Sequence, residues 1–155
     1  MTRTLVLGMG NPILSDDRVG LLVAERVRAV APPHVDVEQS EVAGLRLLEL
    51  LRGYDKVVIL DALKSPAGAG RSPGDIVRYE ASEFRGGHRY GSAHSIGLAT
   101  ALELGRRLGY DMPAEVVVLA VEAEDVETFG EELSPAVAAA AERLVAMVLE
   151  EVGGA

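Results

Sequence analysis

The amino-acid sequence predicts a three-layer α/β/α sandwich built on a mainly parallel sheet. Three observations carry that expectation. Strand-like and helix-like segments alternate along the chain, and most strand-like segments, such as "KVVILDAL" and "AEVVVLAVE", are apolar throughout. One segment, "DIVRYE", instead alternates apolar with polar residues. Strands covered on both faces read as continuous apolar runs, whereas a half-exposed edge strand alternates.

The elements follow in order. "RTLVLGMG" is an apolar run closed by glycines and reads as a buried strand. From Asp16 to Val30, apolar residues at Val19, Leu22, Val23, Val27 and Val30 have helical spacing, and Pro32 and Pro33 stop the helix. "VDVEQ" is a short second strand, and residues 44–51 form a short helix. "KVVILDAL" is the third strand. The loop "KSPAGAGRSPG" joins it to "DIVRYE" with no helix between, so the fourth strand is expected to return antiparallel at the sheet edge. Residues 81–94 must then carry the chain back to the opposite end of the sheet, a distance that an extended segment can span. Residues 95–108 read as a helix, "AEVVVLAVE" as the fifth strand, and 135–150 as an alanine-rich terminal helix opening at Ser134.

A length of 155 residues suits one domain, 1–155, and 48% hydrophobic residues supply a core for it. The net charge of −9 argues against a nucleic-acid or anionic-membrane surface. With no cysteine, disulfides, thiolate metal sites and a cysteine nucleophile are excluded. No apolar run approaches membrane-spanning length, and "TLVLGMG" is too short and glycine-broken for a signal-peptide core. A cytoplasmic location is the expectation.

The polar residues of interest gather at the predicted carboxyl ends of the strands. In open parallel sheets, ligands bind outside those ends, where strand order reverses. "GMGNPILSDDRVG" places Asp16 and Asp17 just past the first strand, and Asp61 ends "VVILD". His94 opens the helix that follows the returning segment. Ser15 and Asp16 are read as helix caps. Asp17, Asp61 and His94 are read as the metal set, since two carboxylates and an imidazole suit a divalent ion with open positions. On this reading Gly8 and Gly10 permit close approach and the guest is a cation. A dinucleotide fingerprint is not met, because Ile13 stands where it needs glycine and the two aspartates would repel a pyrophosphate. Ser92 and Ser95 flank His94 without a nucleophile elbow. His34 and His88 read as surface loop residues.

With these residues assembled, the chain resembles the hydrogenase maturation endopeptidases, the nickel-dependent C-terminal processing proteases of nickel–iron hydrogenases. "LVLGMGNPILSDDRVG" is similar to the family's opening signature, "VVILDAL" to its third strand and "SAHSIGL" to its histidine motif, with "EVAGLRLLELL" and "GEELSPAV" also similar. The resemblance covers nearly the whole chain. It implies a five-stranded mixed sheet of order 2-1-3-5-4 with strand 4 antiparallel. It puts the family's metal-contacting acidic residue on Asp17, its strand-end aspartate on Asp61 and its histidine on His94; many members carry glutamate at the first. It further implies removal of a C-terminal tail from a hydrogenase large-subunit precursor after nickel insertion. Nickel would arrive in the substrate as the recognition element, at a site empty at rest. Water is the expected nucleophile, and a monomer meeting its substrate transiently is the expected state. Two alternatives share the sequence features: a non-catalytic metal-binding assembly chaperone, and a nucleotide-binding α/β module.

Overall fold

The computed structural model describes residues 2–41, 45–81 and 93–153, with the side chains of 45 and 93–97 outside that description. Five strands form one sheet: β1 (Thr4–Met9), β2 (Val35–Ser40), β3 (Lys56–Leu63), β4 (Ile76–Glu80) and β5 (Glu115–Glu122). Their order is β2-β1-β3-β5-β4. β1 runs parallel to β2 and β3, and β3 parallel to β5, while β4 is antiparallel to β5. The expected order and the antiparallel fourth strand are both observed.

The helices are α1 (Val19–Arg28), α2 (Leu45–Leu51), α3 (Ala93–Arg107) and α4 (Pro135–Gly153). Each apolar strand supplies both faces of the sheet. Val6, Val58, Leu60, Val117 and Leu119 pack with Val19, Val23 and Val27 of α1 and with Val137, Leu144 and Val148 of α4. Leu5, Leu7, Val57, Ile59 and Val118 turn the other way, against Leu47 and Leu51 of α2 and Leu98 and Leu102 of α3. This two-sided burial is why β1, β3 and β5 show no polar alternation. Buried Ala24, Ala140 and Ala141 are small enough to let α1 and α4 lie side by side on one face. Among the described residues no helix is long and apolar enough to cross a membrane.

The first helix differs from its predicted span. A 3-10 turn occupies Ser15–Arg18, and α-helix proper begins only at Val19. Neither start carries a side-chain cap: the cap positions fall on Leu14 and Arg18, and Ser15 and Asp16 are bonded elsewhere. The returning segment expected over 81–94 falls almost wholly outside the described residues. The direction of α3 is nonetheless fixed. Beyond its end, Gly53 N–H donates to Asp111 O at 2.9 Å and Ala114 N–H to Asp55 O at 3.2 Å, both just before β3. α3 therefore ends at the amino edge of the parallel strands and begins at their carboxyl edge.

Candidate active site at the carboxyl edge

The glycines after β1 make room for the chain itself. Gly10 has φ 151°, and a Cβ there would overlap the Asp17 carbonyl oxygen. A Cβ on Gly20 would overlap the carbonyl oxygen of Leu60 and lie 2.6 Å from that of Met9, and one on Gly8 would overlap the Gly20 carbonyl oxygen. The 3-10 turn and the first turn of α1 are thereby pressed onto the tips of β1 and β3. The expectation that this space admits a guest ion is corrected: backbone carbonyls fill it. The same packing sets Asp17 beside the strand tips.

The two adjacent aspartates have different surroundings. Asp16 is 0% exposed. Its Oδ1 accepts from Ser134 N–H at 2.7 Å, and its Oδ2 from the N–H groups of Glu124 and Asp125 at 2.9 and 3.0 Å and from Ser134 Oγ at 2.9 Å. Ser15 Oγ donates to Glu132 O at 3.2 Å. The capping role read for Ser15 and Asp16 at their own helix is therefore corrected. They fasten the β5–α4 loop, and Asp16 anchors Ser134, whose carbonyl accepts from Ala138 N–H at the start of α4. A buried carboxylate is tolerable only when so fully satisfied.

Asp17 is half-buried, and its Oδ2 accepts from Asn11 N–H at 3.0 Å. Asn11 Oδ1 in turn accepts from Ile13 N–H at 3.1 Å, which shapes the loop as an Asx turn. Asp61, expected to end the third strand, lies inside β3 with Ala62 and Leu63 still paired beyond it; it is 3% exposed, and its Oδ1 accepts from Ala62 N–H at 2.9 Å. By strand alternation it shares a face with Val57 and Ile59, the face that α3 covers. His94 occupies the second position of α3, at the carboxyl edge by the direction of that helix; its side chain lies outside the described residues. Among the described residues no group of three or more His, Cys, Asp or Glu side chains could hold a metal ion. His34 is exposed, as expected, and His88 lies outside the description.

Two features escaped the sequence reading. Glu122, 4% exposed at the end of β5, accepts from Ser65 N–H at 2.9 Å and from Ser65 Oγ, and Arg71 Nη1 donates to Ser65 Oγ at 3.0 Å. An acid closing an apolar strand was the signal used for Asp61, and it was equally present here. On the opposite flank a groove of about 430 Å³ runs between the loop and β2, lined by Pro12, Arg18, Leu21, Leu22, Glu25 and Gln39 among others.

The fold and its acidic strand tips define an α/β/α protein that concentrates polar groups at the carboxyl edge of a parallel sheet. Residues 22–151 match the hydrogenase maturation protease family, HycI. The hydrogenase 2 maturation protease of Escherichia coli (strain K12) is 32% identical over 129 residues, covering 81% of this chain and 76% of that protein. The hydrogenase expression/formation protein HupD of Rhodobacter capsulatus is 27% identical over 154 residues, covering 96% and 70%. Among solved structures, the hydrogenase maturating endopeptidase HybD from E. coli superposes with a TM-score of 0.83 at 28% identity, covering 99% of this chain and 93% of that one. The chain belongs to the hydrogenase maturation protease family and is an endopeptidase, a hydrolase of peptide bonds.

Proposed function

We propose that this protease removes the C-terminal extension of a nickel–iron hydrogenase large-subunit precursor after nickel has been inserted. Asp17, Asp61 and His94 are read as the groups that engage the nickel carried by the substrate. The carrying observation is the origin of two carboxylates toward one sheet edge, one from the loop after β1 and one from neighbouring β3, just past the last residue that pairs with β1. Carboxylate oxygens with an imidazole suit a divalent ion that keeps part of its coordination for the substrate. Family membership and the hydrogenase relatives support the substrate class.

In this reading the chain's residues hold the precursor so that its scissile peptide lies across the edge, a gain in proximity and orientation. The nickel supplies either a Lewis acid beside that peptide or only a fixed point for placing it. Water is the nucleophile, because the chain has no cysteine and no serine elbow. The protease acts in the cytoplasm, as a monomer that meets the precursor transiently.

Purified protein mixed with nickel-loaded precursor is expected to release the tail, seen as a mass loss, and to leave nickel-free precursor whole. Asp61→Ala and His94→Ala should each reduce cleavage at least a hundredfold. Thermal unfolding of each variant verifies that the fold persists. Intact precursor after incubation with wild-type protein, together with retained nickel binding, would favour an assembly chaperone instead.

A further inference from the structure

The β5–α4 loop displays an aromatic anchor beside the site. Phe129 is 77% exposed in a chain that has only two phenylalanines and no tryptophan. It is not on a loose tip. Leu14 and Phe129 pair in an antiparallel bridge, Gly130 N–H donates to Ile13 O at 2.8 Å, and Ser15 N–H donates to Thr128 O at 3.0 Å. Asp16 N–H donates to Asp125 O at 2.9 Å, and Arg18 Nη1 donates to Glu131 O. Asp125 Oδ1 accepts from the N–H groups of Glu127 and Thr128, both at 2.9 Å, and hydrogen bonding from Thr128 and Glu127 holds its carboxyl below the usual range. The loop bearing Asp17 and the loop bearing Phe129 are thus laced into one ribbon. Phe129 and Leu14 share one face of it and Ile13, 52% exposed, takes the other.

The surroundings of Phe129 are acidic. Glu124, Glu127, Glu131 and Glu132 are exposed, and residues 122–132 include no Lys or Arg. Among the described residues, Lys64 and Arg18 reach this loop and are hydrogen-bonded to its carbonyls, at Ala123 and Glu124 and at Glu131 respectively. A rigidly held aromatic ringed by charge of one sign has the make-up of an interface hot spot with a polar rim. Charge complementarity specifies the other side: an apolar pocket framed by Lys and Arg.

We propose that Phe129, with its acidic rim, is an exosite that docks the folded body of the protein substrate through such a pocket, while the substrate's tail reaches Asp17 and Asp61. This rests on the processing role proposed above, and it means that the protease recognises a folded protein in addition to a peptide sequence. The experiment immobilises purified nickel-loaded large-subunit precursor and measures binding and cleavage separately. Phe129→Ala should weaken binding about tenfold or more, and Phe129→Leu should restore most of it. Glu127→Lys with Glu131→Lys should weaken binding and flatten its dependence on salt. Unchanged melting temperatures would establish that these exposed positions leave the fold intact. Equal affinity of wild type and Phe129→Ala would overturn the exosite, as would wild-type protein that does not bind the precursor. Self-association that Phe129→Ala abolishes would overturn it too, by assigning the face to a second copy. Binding lost with Phe129→Ala, in a wild-type protein that binds without cutting, would leave the exosite standing and reject the processing role.

Discussion

Asp16 and Asp17 are neighbours in sequence with opposite surroundings, and substitution should separate them. Buried Asp16 offers two acceptor oxygens to four donors. Asp16→Asn turns one acceptor into a donor facing N–H or O–H groups. The expected loss is about 2–3 kcal/mol of stability, read as a lower denaturant midpoint, with activity falling as the loop loosens. Asp17→Asn should leave the midpoint within about 0.5 kcal/mol of wild type and still lose most cleavage, since a neutral amide is the poorer ligand for a divalent ion. Asp17→Glu should cleave. An unchanged midpoint for Asp16→Asn would show that its four bonds add little. Asp17 and Asp61 stood out as candidate site residues because an acid at or near a strand tip is a local signal. The work of Asp16 was not, because its partner Ser134 lies 118 residues away and a Ser-Asp pair before a helix looks the same as a cap.

The elements were read nearly to the residue where apolar runs are continuous, as in β3 and β5, because burial on both faces leaves little room for another assignment. The start of α1 was misjudged for a packing reason: the 3-10 turn follows from how closely the chain must approach two strand tips. Gly20 is where that approach meets the backbone of both strands. Gly20→Ala would usually favour a helix, yet here the added methyl meets the carbonyl groups of Leu60 and Met9, which cannot swing aside as a side chain could. We expect a loss of about 1–3 kcal/mol in denaturant unfolding. A stabilised Gly20→Ala protein would mean that the turn has slack that the packing does not suggest.

The topology of the whole molecule was open to sequence reading because strand four broke the alternation, whereas the strand order came with the family resemblance. The ties that close the fold at its amino edge were not legible, since they join distant segments. Glu151 of α4 receives Arg78 of β4 through Nε at 3.2 Å and Nη2 at 2.8 Å, and Lys56 of β3 lies 3.3 Å from the same carboxylate. The Arg78 hydrogen bond, aided by Lys56 against the cost of burial, holds the Glu151 carboxyl below its ordinary range. A carboxyl with a lowered folded pKa stabilises fully above its unfolded value of about 4.3, and that contribution is lost as pH falls through the lower folded value. Glu151→Gln should therefore melt slightly below wild type at neutral pH, by less than about 1 kcal/mol given the exposed Arg78. The difference should begin to shrink as pH falls below about 4.3 and close only below the folded value. A gap that persisted in acid would assign the effect to packing. The lacing between the loop after β1 and the loop before α4 also has a bearing on how the protein comes into being. Ribosomes add about 5–20 residues each second, so Asp17 is synthesised many seconds before the segment around Ser134 that secures its neighbour. Until that segment has emerged, the Asp16 carboxylate lacks its donors and the ribbon cannot close. The loop after β1 therefore takes its final form only after the segment around Ser134 has been made.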